Sequence, residues 1–530
     1  MRRAGRTAKA ARPASKASPA APAARCGSLA LASRAALATV TALAALAALA
    51  GCARERPAPP PAVFGPGPRC VVVVSLDCLR ADRLHCYGNP VETSPFLDRL
   101  AAEGTRFARA TCPGNWTLPS HMSLFTGLYP HRHGVINGNC SLAAAAPHLV
   151  EPLRAAGWRT AAFTGGGYLA PRYGYDRGFE TYWAAPRIDG VLDETLARAR
   201  AWLAEQRGQD VFLFLHTYEI HEPFTPPAEY LRRLLPEPRT DVTGEIAQMR
   251  ELAKTGATPE QIREIVARYD ADILHTDAKL GAFRAALDTL GLGENLLFVV
   301  ASDHGEQFWE HGKTGHGGDM LGPELTNVPL IVTLPAAGAG SAAGAAAARA
   351  PHGRVLDAEV SFLDIMPTVL DAAGLPAPPA IDGFSLLPAL LGGADGKPAR
   401  AATCARPAAL GAEAGQPSAR ERRRLEIAGR PAELAVTEGL RFAAVRAGGW
   451  KLIAPLPEAA GRRLKMAPAL YDLRADPREL NPLPARDQVA VALGGILPGW
   501  ERLGLTSFRP GQAAVDEATQ RQLRALGYVH

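Results

Sequence analysis

The chain has 530 residues, of which 47% are hydrophobic, 6% aromatic and 21% charged, a globular composition that excludes a disordered, collagenous or coiled-coil body and accommodates one large domain with a smaller one. The formal charge of +6 is gathered at the start: residues 1–51 hold Arg2, Arg3, Arg6, Lys9, Arg12, Lys16, Arg25 and Arg34 and no acidic residue, so the rest is slightly acidic. A nearly neutral body gives no electrostatic reason for a nucleic-acid partner.

In chain order, the basic segment runs into an uncharged stretch, Ala35 to Ala50, that ends in Leu49-Ala50-Gly51-Cys52. That order is the order of a signal peptide, and small residues before a cysteine resemble the lipobox of bacterial lipoproteins. The expectation is a signal peptide over 1–52 lipidated at Cys52, then a Pro-rich linker over 53–69. The body would be exported to a bacterial cell envelope and held at the membrane by lipid, an uncleaved anchor helix being the other reading of the same stretch. Six cysteines follow, at 70, 78, 86, 112, 140 and 404, none in a C-x-x-C pair; export permits disulfides but spacing does not pair them.

Apolar runs at 71–76, 211–215, 295–301 and 329–333 alternate with segments of helical character at 97–108, 149–157 and 263–290. Unbroken Val, Leu and Phe runs separated by helices predict an α/β fold with a sheet covered on both faces, here a catalytic domain over 70–400. The Ala/Gly run 336–350 reads as a loop and 401–435 as a surface insertion or boundary. From 436 to 530 the pattern predicts a small C-terminal α+β subdomain, with a hairpin turn at Ala447-Gly448-Gly449.

Three apolar runs end in potential ligands: Asp77 after the first, His216 with His221 close behind after the second, and Asp303-His304 after the third. Strand ends are where open α/β sheets build sites. Between them, GNWTLPSHMSLFTGLY predicts a helix capped by Thr117 with Pro inside its first turn, and His121 four residues on shares its face.

These residues carry a resemblance to the sulfatase family of the alkaline phosphatase superfamily, seen in VVVVSLDCLRADRLHCYG, ETSPFLDRLAAEGTRFARA, TLPSHMSLFTGLYPHRHGV, ASDHGEQFWEHGKTGHGG, DIMPTVLDAAGLPAPPAIDGFSLLPAL and the late WKLI…LYDLRADP. The resemblance implies a central mixed sheet between helices, a smaller C-terminal sheet, and a divalent metal site of Asp77, Thr117, Asp303 and His304. It also implies an anionic ester substrate, with Thr117 as nucleophile. His121, on the helix face of Thr117, lies within reach of it or of the substrate; by the same resemblance His221 contacts the transferred group, and Lys313 and His316 neutralise the leaving group or donate its proton. His131, Arg132 and His133 read as structural.

The chain departs from sulfate-cleaving members, whose C-x-P-x-R motif supplies a cysteine that matures to formylglycine. The aligned stretch is Thr117-Leu118-Pro119-Ser120-His121, so no formylglycine is expected, and the Gly-Lys-x-His block is not evident. A threonine nucleophile resembles phosphodiesterase, phosphonate monoester hydrolase and phosphoglycerol or phosphoethanolamine transferase branches. Two carboxylates and an imidazole suit Mn²⁺, Zn²⁺, Mg²⁺ or Ca²⁺; His216-Thr217-Tyr218-Glu219-Ile220-His221 lacks the aspartate of two-zinc relatives, so one metal is expected. The competing readings are a head-group transferase, a sulfatase using threonine directly, and a non-catalytic surface binding protein.

Overall fold

The structure, a computed structural model, describes residues 63–188, 190–336, 353–379, 381–392, 424–427, 430–456, 467–484, 488–494, 508–514 and 516–525. The segment expected to be a signal peptide, with Cys52, the part of the expected linker before residue 63, Cys404 and most of 401–435 lie outside the described residues.

Strand β1 (Cys70–Leu76) reads CVVVVSL and is buried at every position. Four consecutive β-branched residues favour extended backbone, and the pleat sends Val71 and Val73 into one core and Val72 and Val74 into another. Burying four valines contributes about 6–12 kcal/mol as an upper figure, comparable with the net stability of a domain. Such a strand must be covered on both faces. Helices α1 (Pro95–Glu103), α4 (Leu192–Glu205) and α5 (Pro259–Thr289) feed one core; α2 (Thr117–Thr126), α3 (Val150–Ala155) and α6 (Ile365–Ala372) feed the other. The 31-residue α5 starts from a capping box between Thr258 and Gln261 with Pro259 behind the cap, which satisfies donors that a long helix leaves open.

The sheet has nine strands. Beyond β1 these are β2 (Thr105–Thr111), β3 (Arg159–Thr164), β4 (Thr181–Ala184), β5 (Val211–Thr217), β6 (Leu296–Ala301), β7 (Asn327–Val328), β8 (Leu330–Thr333) and β9 (Arg354–Ser361). β1 is parallel to β5 and β6, and β3 is parallel to β4 and β5. β8 runs antiparallel to β6 and β2, while β9 is parallel to β2, so the sheet is mixed. The helical reading of 97–108 is corrected: the helix stops at Glu103 and 105–111 is a strand. Its arginines resemble a polar helix face, but Arg106 stacks on Tyr87 at 5.0 Å and Arg109 pairs with Asp357 and Glu359.

A second, five-stranded antiparallel sheet follows in chain order: β10 (Arg424–Ile427), β11 (Arg430–Glu438), β12 (Phe442–Ala447), β13 (Trp450–Pro455) and β14 (Ala469–Asp472). Its β12–β13 turn is the expected Gly448-Gly449 hairpin. The sheet begins inside the span read as an insertion, so the end of 401–435 is structural. Nor is 436–530 all one subdomain, because Gly511–Gln512 pairs with Cys140–Ser141 and Gln522 bonds Gly167 and Ala185. No helix among the described residues is long and apolar enough to cross a membrane.

Candidate active site

Parallel pairing places the site. Ser75 of β1 stands opposite both His216 of β5 and Ala301 of β6, so the residues after all three strands emerge at one end of the sheet. Asp77 anchors there through its N–H to Thr217 O at 3.2 Å. After Asp303 and His304 the chain turns at Gly305, where a Cβ would stand 1.9 Å from Glu324 O; only glycine passes that carbonyl.

Helix α2 brings Thr117 to this end. Thr117 is not the cap that its sequence suggests: Trp116 takes that place, and Thr117 is the first helical residue. The Ser120 N–H that a capping hydroxyl would receive is bonded to Trp116 O. The freed hydroxyl instead donates to Asp77 Oδ2 at 3.2 Å and lies 3.3 Å from His304 Nε2. Ser120 Oγ donates to Asp303 O at 2.6 Å, pinning the helix to the end of β6.

His121 is fully buried beneath Thr117. Its Nδ1 lies 2.9 Å from Thr117 O, and a carbonyl only accepts, so that nitrogen carries the hydrogen and Nε2 accepts from Ser75 Oγ at 2.8 Å. Burial holds its pKa well below the ordinary value, which keeps it neutral. His121 thus braces the backbone of Thr117 rather than touching its hydroxyl. His216 donates from Nε2 to Asp77 Oδ2 at 3.3 Å while Gly165 N–H bonds its Nδ1.

Asp77 and Asp303 are both wholly buried and titrate apart. Burial raises Asp77, but the His216 hydrogen bond and the nearby His304 and His221 outweigh it and hold Asp77 well below the usual range. Burial and the Asp77 charge push Asp303 well above it. Burial, with His316 adding to it, lowers His304 to about 3, leaving it neutral and fit to ligate. Both carboxyl oxygens of Asp303 are buried without a hydrogen-bond partner, 3.3 Å from His304 Nε2 at the nearer atom. Two buried carboxyls, one of them unsatisfied, with a neutral imidazole and a hydroxyl form a donor set suited to a divalent cation.

Facing this set is Cys78, buried at φ +60°, with Sγ 3.1 Å from Asp77 Oδ1 and 3.6 Å from His316 Nδ1. His221 and His316 lie with ring centroids 5.1 Å apart, and His316 Nδ1 bonds Glu306 Oε2 at 2.9 Å. Of the expected site residues, Asp77, Thr117, His121, Asp303, His304, His221 and His316 come together; Lys313 does not. Lys313 is exposed in the hairpin Gln307–Phe308/Thr314–Gly315, with no hydrogen bond or ion pair from its side chain to the cluster among the described residues. Cys78, Ser75 and Glu306 escaped the sequence reading. Glu306 follows Asp303 by three residues and Cys78 abuts Asp77, but only the fold shows that both turn inward.

The small sheet supports the same loops. Asn115 Nδ2 donates to Gly318 O and Met320 O, Leu440 N–H bonds Gly318 O, and Glu438 N–H bonds Pro113 O. His131 pairs with Glu438 at 2.5 Å and Arg132 with Asp382 at 2.6 Å.

Known proteins are similar to this chain. The multifunctional alkaline phosphatase superfamily protein PehA of Trinickia caryophylli is 26% identical over 420 residues, covering 62% of this chain and 77% of that protein. The uncharacterized sulfatase YidJ of Escherichia coli is 26% identical over 365 residues, covering 59% and 69% respectively. Among solved structures, the phosphonate monoester hydrolase of Agrobacterium radiobacter superposes with a TM-score of 0.61 at 20% identity, over 82% of this chain and 95% of that one, a likeness of fold. The sulfatase family model matches residues 69–375, a span that opens just before β1, closes beyond α6 and holds every strand-end residue described above. The chain therefore belongs to the sulfatase family and is a sulfatase-like ester hydrolase.

Proposed function

We propose that this hydrolase is exported and cleaves phosphate or phosphonate esters through Thr117. The observation that carries the reading is the Thr117 hydroxyl itself, set at the first residue of α2 and 3.2 Å from Asp77 Oδ2, in the place of a formylglycine precursor. Members of the family depend on a divalent metal; Asp77, Asp303, His304 and Thr117 would hold it, and when bound it lowers the hydroxyl pKa and offsets charge on the ester.

The rest follows from the chain's own groups. Thr117 Oγ1 forms a bond to phosphorus as the ester P–O bond breaks; its hydrogen passes to water, since Asp77 is held well ionised and is a poor base, and the departing alcohol oxygen takes up a proton from water. The start of α2 contributes a partial positive charge beneath the anionic group. Water then cleaves the phosphothreonine. A formylglycine hydrate can expel sulfate by collapse of its geminal diol; a threonine ester has no second hydroxyl and waits for water, which suits phosphorus better than sulfur. Support comes from relatives named as an alkaline phosphatase superfamily protein and a phosphonate monoester hydrolase.

The test is a panel of phosphodiester, phosphonate monoester, phosphate monoester and aryl sulfate on the metal-loaded protein. Phosphodiester or phosphonate turnover is expected to exceed aryl sulfate turnover by at least about tenfold, or about 1.4 kcal/mol in the barrier. Aryl sulfate turnover equal to or above the others would overturn the preference and favour direct sulfate transfer to threonine. Lipid anchoring is read from the Cys52 lipobox: Cys52→Ser is expected to abolish labelling by a fatty-acid analogue in a bacterial host, and an unlabelled wild type would refute the lipobox reading.

A further inference from the structure

We propose that Trp116, backed by Tyr168, is the wall that receives the uncharged substituent staying on phosphorus, and that it selects an aryl group there over a small alkyl group. The indole belongs to the residue just before the nucleophile and is half-buried. Tyr168 meets it edge-on, with ring centroids 5.0 Å apart and planes at 84°.

Two loops of the site hold the indole between them. One is the loop after β3, whose Gly165 N–H bonds His216 Nδ1 at 3.3 Å. The other follows His316, whose ring lies 4.4 Å from that of His304; a Cβ on Gly317 would stand 3.7 Å from Trp116 Cβ. The first loop brings no charge to the nucleophile. A Cβ at Gly165 would stand 2.6 Å from the Tyr218 ring, and one at Gly166, where φ is +75°, would stand 2.4 Å from Ala185 O, so both positions are restricted to glycine. Gly167 follows, and the first side chain the loop presents is Tyr168, whose N–H bonds Tyr218 Oη at 3.2 Å. The Tyr218 ring in turn lies 4.6 Å from that of His216. Trp116, Tyr168 and Tyr218 thus make an uncharged aromatic flank that runs from beside Thr117 to the histidine serving Asp77.

The line of displacement decides which part of the substrate meets this flank. Attacking and leaving oxygens lie roughly in line through phosphorus, so the leaving group departs away from Thr117 Oγ1, and the groups beside the nucleophile are those that stay on phosphorus. Aromatic faces carry partial negative charge, which disfavours an anionic oxygen against them and suits an apolar or aryl group. A diester or a phosphonate ester supplies such a group; a phosphate monoester offers only oxygens. The indole makes no side-chain cap to α2, and Trp116 serves the helix through its carbonyl, which accepts from Ser120 N–H. Replacing the side chain therefore leaves the start of the nucleophile helix formed.

The inference rests on the phosphorus-ester reading, and the test separates the two. The metal-loaded full-length protein is assayed with the p-nitrophenyl esters of phenylphosphonate and methylphosphonate, which share a leaving group. Free phenylphosphonate and methylphosphonate are then compared as competitive inhibitors of whichever ester turns over. The KM and the inhibition constant are expected to be at least about tenfold lower for the phenyl member of each pair. Because the contact is made before and during the reaction alike, Trp116→Ala should bring both ratios to within about threefold of parity while the ratio of kcat values holds. Trp116→Phe should keep most of the preference. Equal constants in the wild type, or a Trp116→Ala protein that keeps the phenyl preference, overturns the proposal. Phosphonate turnover without phenyl preference defeats the wall alone. A protein that turns over only aryl sulfate, yet is inhibited preferentially by phenylphosphonate through Trp116, defeats the phosphorus-ester reading and supports the wall. Should Trp116→Ala fail to fold, the wild-type constants and Trp116→Phe decide it.

Discussion

At the scale of single residues, the site rests on Thr117 having been released from capping. Because its wholly buried hydroxyl serves Asp77 and His304 rather than the helix, Thr117→Ala removes a buried hydrogen bond and should cost about 1–3 kcal/mol of stability without unfolding the protein. Turnover of the best ester should fall by at least about a thousandfold, since the nucleophile is gone, while Thr117→Ser keeps the oxygen and retains measurable activity. Circular dichroism and single-turnover kinetics separate the two effects; undiminished turnover in the alanine protein would remove Thr117 from the chemistry. Asp77, Asp303 and His304 were legible because each ends a Val- or Leu-rich run. Cys78 was not, for a lone buried thiol carries no pattern in sequence, and its partners stand far along the chain.

At the scale of elements, legibility followed hydrophobic continuity. β1, β5 and β6 are apolar on both faces and lie close to where the sequence puts them, whereas β2 carries arginines that imitate an amphipathic helix until Asp357 and Glu359 pair with Arg109. The small sheet was visible as a Gly-Gly hairpin, but its bearing on the site was not. Lys451 of β13 is wholly buried, bonding Leu321 O at 2.6 Å, Thr326 Oγ1 at 3.3 Å and Glu479 at 2.8 Å. This ammonium holds the segment between the hairpin and β7. Glu479→Gln leaves the buried charge without its counter-ion and should destabilise the protein by about 3–5 kcal/mol, read as a lower urea midpoint. A midpoint unchanged within error would show that the pair does not secure the segment.

At the scale of the whole molecule, buried neutral imidazoles set the response to acid. His148 stacks on Phe125 with rings 5.1 Å apart and 8° from parallel, and burial, assisted by the positive charge of Arg177, lowers its pKa from 6.5 to about 3. The unfolded chain therefore binds a proton that the folded chain refuses between those values. Stability contributed by this residue is present above pH 6.5 and is lost as pH falls, with a slope of up to about 1.4 kcal/mol per pH unit. His148→Phe should move the acid-unfolding midpoint to lower pH, followed by tryptophan fluorescence; an unchanged midpoint would assign acid sensitivity to other groups.

The return of the chain end to the main sheet has a consequence in time. Gly167 N–H is satisfied by the side chain of Gln522, 355 residues later, whose amide also donates to Ala185 O. At a synthesis rate of about 5–20 residues per second, the loop around Gly167 waits about 20–70 s for its partner to be made. During that interval the ribosome holds an unfinished chain whose β3 and β4 margin has yet to receive its last hydrogen bonds. A truncation before residue 508 makes that vulnerable interval permanent.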